Sequence, residues 1–114
     1  MPGHRIAVEK RRHERARVDF AVELVVKGSD ARLPARARDV SVGGMQVEAA
    51  TLLPVSTEVM AHVTFPGEKR PLAMPAVVRW ARDGGMGLQF GLLGARETHA
   101  ITEAMSAAER QTPA

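Results

Sequence analysis

The sequence predicts an all-β protein, a small six-stranded antiparallel barrel with one C-terminal α-helix over an opening. Three observations carry this. Hydrophobic and polar residues alternate with a period of two through most of residues 18–90, the pattern of strands with one face buried. Turn signals rich in glycine, proline and aspartate interrupt that pattern every 8–15 residues, as in short antiparallel strands. After Gly94 the composition shifts to Ala, Glu and Met with apolar residues at helical spacing, so a helix follows the strands.

In the first strand Val18, Phe20, Val22, Leu24 and Val26 alternate with Asp19, Ala21, Glu23, Val25 and Lys27, and Gly28-Ser29-Asp30 turns the chain. Leu33 to Val40 forms the second, broken at Gly43-Gly44. Met45, Val47 and Ala49 alternate with Gln46 and Glu48 in the third. Val59, Ala61, Val63 and Phe65 share a face of the fourth, which Pro66-Gly67 ends. Leu72, Met74, Ala76, Val78 and Trp80 share a face of the fifth, where Pro71 and Pro75 lack amide donors and predict an edge or a bulge. Asp83-Gly84-Gly85 is a hairpin signal leading into Met86, Leu88 and Phe90 of the sixth. The helix spans Ala95 to Arg110, with Ile101, Ala104, Met105 and Ala108 on one stripe, and residues 111–114 fray. The organisation is a basic arm over residues 1–17, a barrel with its helix over 18–110, and a short tail.

At 114 residues the chain is one domain, long enough for a core without covalent staples. It has no cysteine, which excludes disulfides and thiolate metal sites. No apolar run reaches the roughly 18 residues of a membrane helix, and the basic N-terminus lacks the apolar stretch of a signal peptide. A soluble cytoplasmic protein is expected. The net charge of +3 is unevenly placed: residues 1–17 hold six basic groups against Glu9 and Glu14, leaving +4 there and −1 on the rest. Such an arm suits a polyanion.

Two motifs carry chemistry. Arg11 and Arg15 form an RxxxR spacing just before the first strand. With thirteen arginines in the chain that spacing is weak by itself, and Arg32 and Arg36 repeat it. Asp39-Val40-Ser41-Val42-Gly43-Gly44 fits [D/N]xSxxG, which chance placement would produce only about 0.01 times in this composition. Arginine presents a planar fork that grips phosphate oxygens in pairs and stacks on a purine. Asp39 can accept two hydrogen bonds from N1–H and the N2 amino group of a guanine. Ser41 adds a short donor or acceptor, and Gly44 permits a close backbone approach or a positive φ.

In order and spacing, Arg11 to Arg15, Asp39-x-Ser41-x-x-Gly44 some 24 residues later, and Gly87-Leu88-Gln89-Phe90 before a helix resemble the PilZ-domain family over about residues 9–105. The resemblance implies a PilZ-type six-stranded barrel that binds the bacterial second messenger cyclic di-GMP. It implies that Arg11 and Arg15 engage phosphate and guanine while Asp39, Ser41 and Gly44 line the other guanine-contacting wall. Lys10 stands where a basic residue in the family accompanies binding of two stacked ligand molecules, and Arg12 adds positive charge beside it. Trp80 is similar to an aromatic beside the ligand in single-domain members, although its strand parity favours the core. The expectation is a stand-alone, non-catalytic receptor that changes conformation on binding and signals to a partner protein, with no cofactor, no membrane and no nucleic acid.

Other classes are weaker. His4, His13, His62 and His99 have no ligand spacing, and no nucleophile–base arrangement or carboxylate pair appears. A basic small barrel that binds nucleic acid would need aromatic stacking platforms, and the chain has three Phe, one Trp and no Tyr. A ligand-independent protein-interaction module would not need both motifs intact. Charge repulsion among Lys10, Arg11, Arg12 and Arg15, with only Glu9 and Glu14 nearby, makes the arm the segment expected to close over an anionic ligand.

Overall fold

A computed structural model describes residues 15–111, and the expected elements appear in the expected order. They are β1 (Ala16–Val26), β2 (Arg32–Ser41), β3 (Gly44–Glu48), β4 (Glu58–Val63), β5 (Leu72–Arg82), β6 (Gly85–Phe90) and α1 (Ala95–Gln111). All strand pairs are antiparallel and form a closed barrel in the order β1-β2-β3-β6-β5-β4.

Alternation in the sequence becomes inside and outside in the barrel. Phe20, Val22 and Leu24 of β1, Val59, Ala61 and Val63 of β4, and Met86, Leu88 and Phe90 of β6 are all buried. Apart from the small Ala61, each of these side chains contributes roughly 1.5–3 kcal/mol when it leaves water. Phe65 lies just beyond β4 yet is only 1% exposed, packed edge-on against Phe20 with ring centres 5.4 Å apart. The helix α1 adds Ala100, Ile101 and Ala104 to the same core, while Met105 and Ala108 are half-buried. Asp83 and Gly84 both take positive φ between the paired residues Arg82 and Gly85, the left-handed two-residue turn whose twist matches a hairpin.

Three details differ from the sequence reading. The helix runs on through Gln111, counted there with the tail, and residues 112–114 lie outside the described residues. Strand β1 begins at Ala16, so Arg17, counted with the arm, is a strand residue opposite Asp39. Pro71, just before β5, and Pro75 within it do not mark a free edge, because the ring of strands is closed. Pro75 pairs with Met60 of β4, and its carbonyl accepts the Gly91 amide just past the end of β6. The donor that Pro75 lacks therefore points where the β6 ladder has stopped, the one kind of place a strand proline is cheap. The bulge in β5 lies elsewhere, between Val78 and Trp80.

Charged residues of β1 and β2 pair across the outer surface. Arg32 donates to Glu23 at 2.7 Å, Arg36 Nε to Asp19 at 2.5 Å, and Arg38 Nη1 to the same Asp19 oxygen at 3.2 Å. The hydrogen bond from Arg36 holds the Asp19 carboxyl below its ordinary value of 3.8; the charges of Arg36 and Arg38 act in the same direction and slight desolvation opposes them. A lowered folded-state value means that the carboxylate stabilises the fold above the unfolded pKa. That contribution disappears as pH falls through the folded value. Thermal melts between about pH 2 and pH 6 should therefore show a shallower acid-side fall for Asp19→Asn than for the parent chain. Identical slopes would mean that this carboxylate gains nothing from its arginines.

Candidate functional site

Three strand irregularities build a cleft on the outside of the barrel. In the β1–β2 ladder the register shifts between Arg17 and Phe20, and in the β2–β3 ladder between Ala37 and Asp39. On the far side, β5 carries one extra residue between Val78 and Trp80 against Leu88 and Gly87 of β6. A bulge re-aims the side chains beside it. Ala37 and Val40 of β2 both point inward, leaving Arg38 exposed and Asp39 half-buried between them. In β5 the extra residue breaks the parity that would have carried Trp80 into the core.

Arg15 enters this cleft directly before β1, and its Nη1 donates to Asp39 Oδ1 at 2.6 Å. The two residues are 24 positions apart and come from separate motifs. Their side chains are 47% and 20% exposed, so the pair sits at the rim within reach of a solute. The hollow next to it, about 310 Å³, is lined by Arg15, Ser41 and Gly44 on one side and by Arg79, Trp80 and Gln89 on the other. That volume falls at the lower end of ligand clefts, roughly 300–1,000 Å³.

The signature residues of β2 and β3 do structural work as well as lining the cleft. Ser41 is buried; its Oγ accepts the Gly43 amide at 3.2 Å and donates to the Gly44 carbonyl at 3.5 Å. It thereby closes the β2–β3 turn through a side chain. Gly44 is needed for a close approach and not for a positive φ. A Cβ there would lie 2.1 Å from the Leu88 carbonyl oxygen, on the neighbouring strand β6. The approach is thus to the barrel's own backbone.

Trp80 is not a core residue. It is half-buried on the outer face, with the indole lying along β6. A Cβ on Gly87 would stand 2.0 Å from Trp80 Nε1, and one on Gly85 would stand 3.7 Å from the far edge of the ring. Both outward glycines of β6 leave room for the indole. The guanidinium of Arg82 stacks on it with Cζ 5.1 Å from the ring centre, a cation–π contact. Phe20, Phe65 and Phe90 are buried, so Trp80 is the one aromatic at the surface among the described residues.

Lys10, Arg11 and Arg12 lie outside the described residues. Arg32 and Arg36 sit away from the cleft, each held by a carboxylate of β1. Sequence reasoning missed Arg79, whose guanidinium Nε donates to Gln89 Oε1 across the β5–β6 ladder. No motif marks Arg79, but Gln89 belongs to the Gly87-Leu88-Gln89-Phe90 segment that carried the resemblance. A larger hollow, about 480 Å³, lies over Val25, Met60, Pro75 and Val77, with Lys27 and Glu58 at its rim paired to each other at 3.0 Å. It brings together none of the motif residues. Among the described residues no three His, Asp or Glu side chains converge as a metal site, and no helix is long and apolar enough to cross a membrane.

A family model described as the PilZ domain matches residues 9–106. Comparison with curated proteins returns no match. Among solved structures, the chain is similar to the PilZ domain of CeSA from a cellulose-synthesizing bacterium, at 19% identity and a TM-score of 0.66, covering 84% of this chain and 98% of that one. It is similar to the PilZ domain of YcgR with c-di-GMP from Escherichia coli, at 16% identity and a TM-score of 0.70, covering 90% and 93%. The PlzA protein of Borreliella burgdorferi in complex with c-di-GMP aligns at 14% identity and a TM-score of 0.67, over 90% of this chain and 44% of that one. At these identities the structural likeness establishes the barrel.

Proposed function

Because the chain belongs to the PilZ domain family, whose model covers residues 9–106, we propose that it is a receptor for cyclic di-GMP that binds and does not catalyse. The observation that carries this reading is the meeting of Arg15 and Asp39 at 2.6 Å on the rim of one cleft. There the acceptor suited to a guanine edge and the donor suited to a phosphate stand side by side. YcgR and PlzA, which share the barrel, are both seen with c-di-GMP.

In this reading the guanine N1–H and N2 amino group donate to Asp39, while Arg15, together with Arg11, takes phosphate. The Arg15–Asp39 pair has to loosen for this, and an exposed ion pair of this kind is worth only about 0–1 kcal/mol. Trp80 offers a face on which a base can stack. Ser41 and Gly44 contribute by holding the β2–β3 turn in place, and Lys10 and Arg12 add positive charge. A nucleic-acid strand would need a row of stacking rings, and one exposed indole is not a row.

The test is calorimetric titration with cyclic di-GMP and cyclic di-AMP. Cyclic di-GMP is expected to bind, and the adenine analogue roughly a hundredfold more weakly. It has no N1–H or N2 amino group and would leave Asp39 unpaired, a loss of a few kcal/mol in a desolvated site. Equal affinity for the two would remove Asp39 from the guanine edge and the assignment with it.

The finer part of the proposal is that binding draws the arm ahead of β1, residues 5–14, over the ligand and that a partner protein senses the change. Ligand-dependent amide protection in that segment is the expected result. Protection that is the same with and without ligand would show that the signal travels another way.

A further inference from the structure

We propose that Arg79, braced by Gln89, is a phosphate-binding residue of this site, on the wall opposite Arg15. The inference rests on the cyclic di-GMP reading and adds a residue that neither signature motif contains. The bulge in β5 places Arg79 at the strand's extra position, exposed beside Trp80. Arg79 Nε donates to Gln89 Oε1, which fixes the guanidinium plane and leaves the two Nη groups, the prongs that grip a phosphate.

Charge distinguishes Arg79 from Arg15, the other arginine that lines the cleft, which faces the Asp39 carboxylate. Arg82, also on β5, is held over the Trp80 ring and does not line the cleft. Among the described residues Arg79 has no carboxylate partner, and Gln89 is neutral. The cleft therefore holds a neutralised pair on one wall and an uncompensated cation on the other. An anion entering it is drawn to Arg79 without first breaking an ion pair. Asp39 accepts at one end and Arg79 donates at the other, so a ligand carrying a donor-rich base edge and a phosphate satisfies both.

The experiment is titration of the full chain with cyclic di-GMP at several salt concentrations, with melting curves for every variant. Arg79→Ala is expected to weaken binding at least tenfold and to lower the slope of log affinity against log salt by about one, the mark of a lost phosphate contact. Arg79→Lys should recover part of the affinity and most of the slope, whereas Arg79→Gln, which keeps the stem without the charge, should recover neither. Arg32→Ala, already paired with Glu23, should leave both unchanged. Parent-like binding by Arg79→Ala, or equal binding by the Lys and Gln variants, would overturn the phosphate role while the receptor reading stood. If the parent chain itself failed to bind, the receptor reading would fall first.

Discussion

Replacing Arg15 with alanine is expected to abolish measurable cyclic di-GMP binding while moving the melting temperature by less than about 4 °C. The two effects separate because Arg15 precedes β1 and spends its guanidinium on a rim-exposed pairing with Asp39. Its truncation leaves no cavity and strands no buried partner. A fork that makes two charge-assisted bonds to phosphate is another matter, and its loss should cost roughly a hundredfold or more in affinity. Arg11→Ala should behave alike, since Arg11 completes the RxxxR spacing. Arg32→Ala and Arg36→Ala repeat that spacing on β2, but their guanidiniums are tied to Glu23 and Asp19 away from the cleft. They should bind as the parent does. If the β2 variants lost as much affinity as Arg15→Ala, the binding site would have to be moved to the β1–β2 surface.

Gly44→Ala should have the largest effect on stability of any single methyl added to this barrel. The new Cβ would stand 2.1 Å from the Leu88 carbonyl oxygen and 3.2 Å from its carbon, both backbone atoms of β6. Backbone in a closed ladder cannot rotate aside, so β3 and β6 must part where Gly44 pairs with Gln89. Overpacking typically costs about 1–3 kcal/mol when side chains can yield. Here the cost should reach about 3 kcal/mol or more, a fall in melting temperature exceeding about 10 °C. Gly87→Ala provides the contrast. Its obstacle is Trp80 Nε1 at 2.0 Å, the movable end of a side chain. That variant should keep more of its stability while shifting the tryptophan fluorescence and spoiling the cleft wall. A parent-like melting curve for Gly44→Ala would show that β3 and β6 are not so closely apposed.

The periodicity of the sequence by itself determined the barrel, because burial on one face of a strand is a local demand that repeats every second residue. Phe20, Val22 and Leu24, or Val59, Ala61 and Val63, declare their face without any knowledge of the neighbouring strand. The Asp39-x-Ser41-x-x-Gly44 and RxxxR motifs were legible for the same reason: each is contained within a few consecutive residues. What only the tertiary structure decided is how strands meet. Parity assigned Trp80 to the core, and a single extra residue in β5, unmarked by any glycine between Val78 and Trp80, turned it out onto Gly85 and Gly87. The same bulge set Arg79 beside the cleft, and its significance depends on Gln89, ten positions away on another strand. The equal spacing of Arg11–Arg15 and Arg32–Arg36 could not be weighed from spacing alone. The difference lies in partners: Arg15 meets the Asp39 of the other motif, and Arg36 meets Asp19 of β1 away from the cleft. Alternation fixes which way a residue points relative to its own strand. Register shifts between strands fix what it points at, and they arise from pairing across the barrel that no single segment encodes.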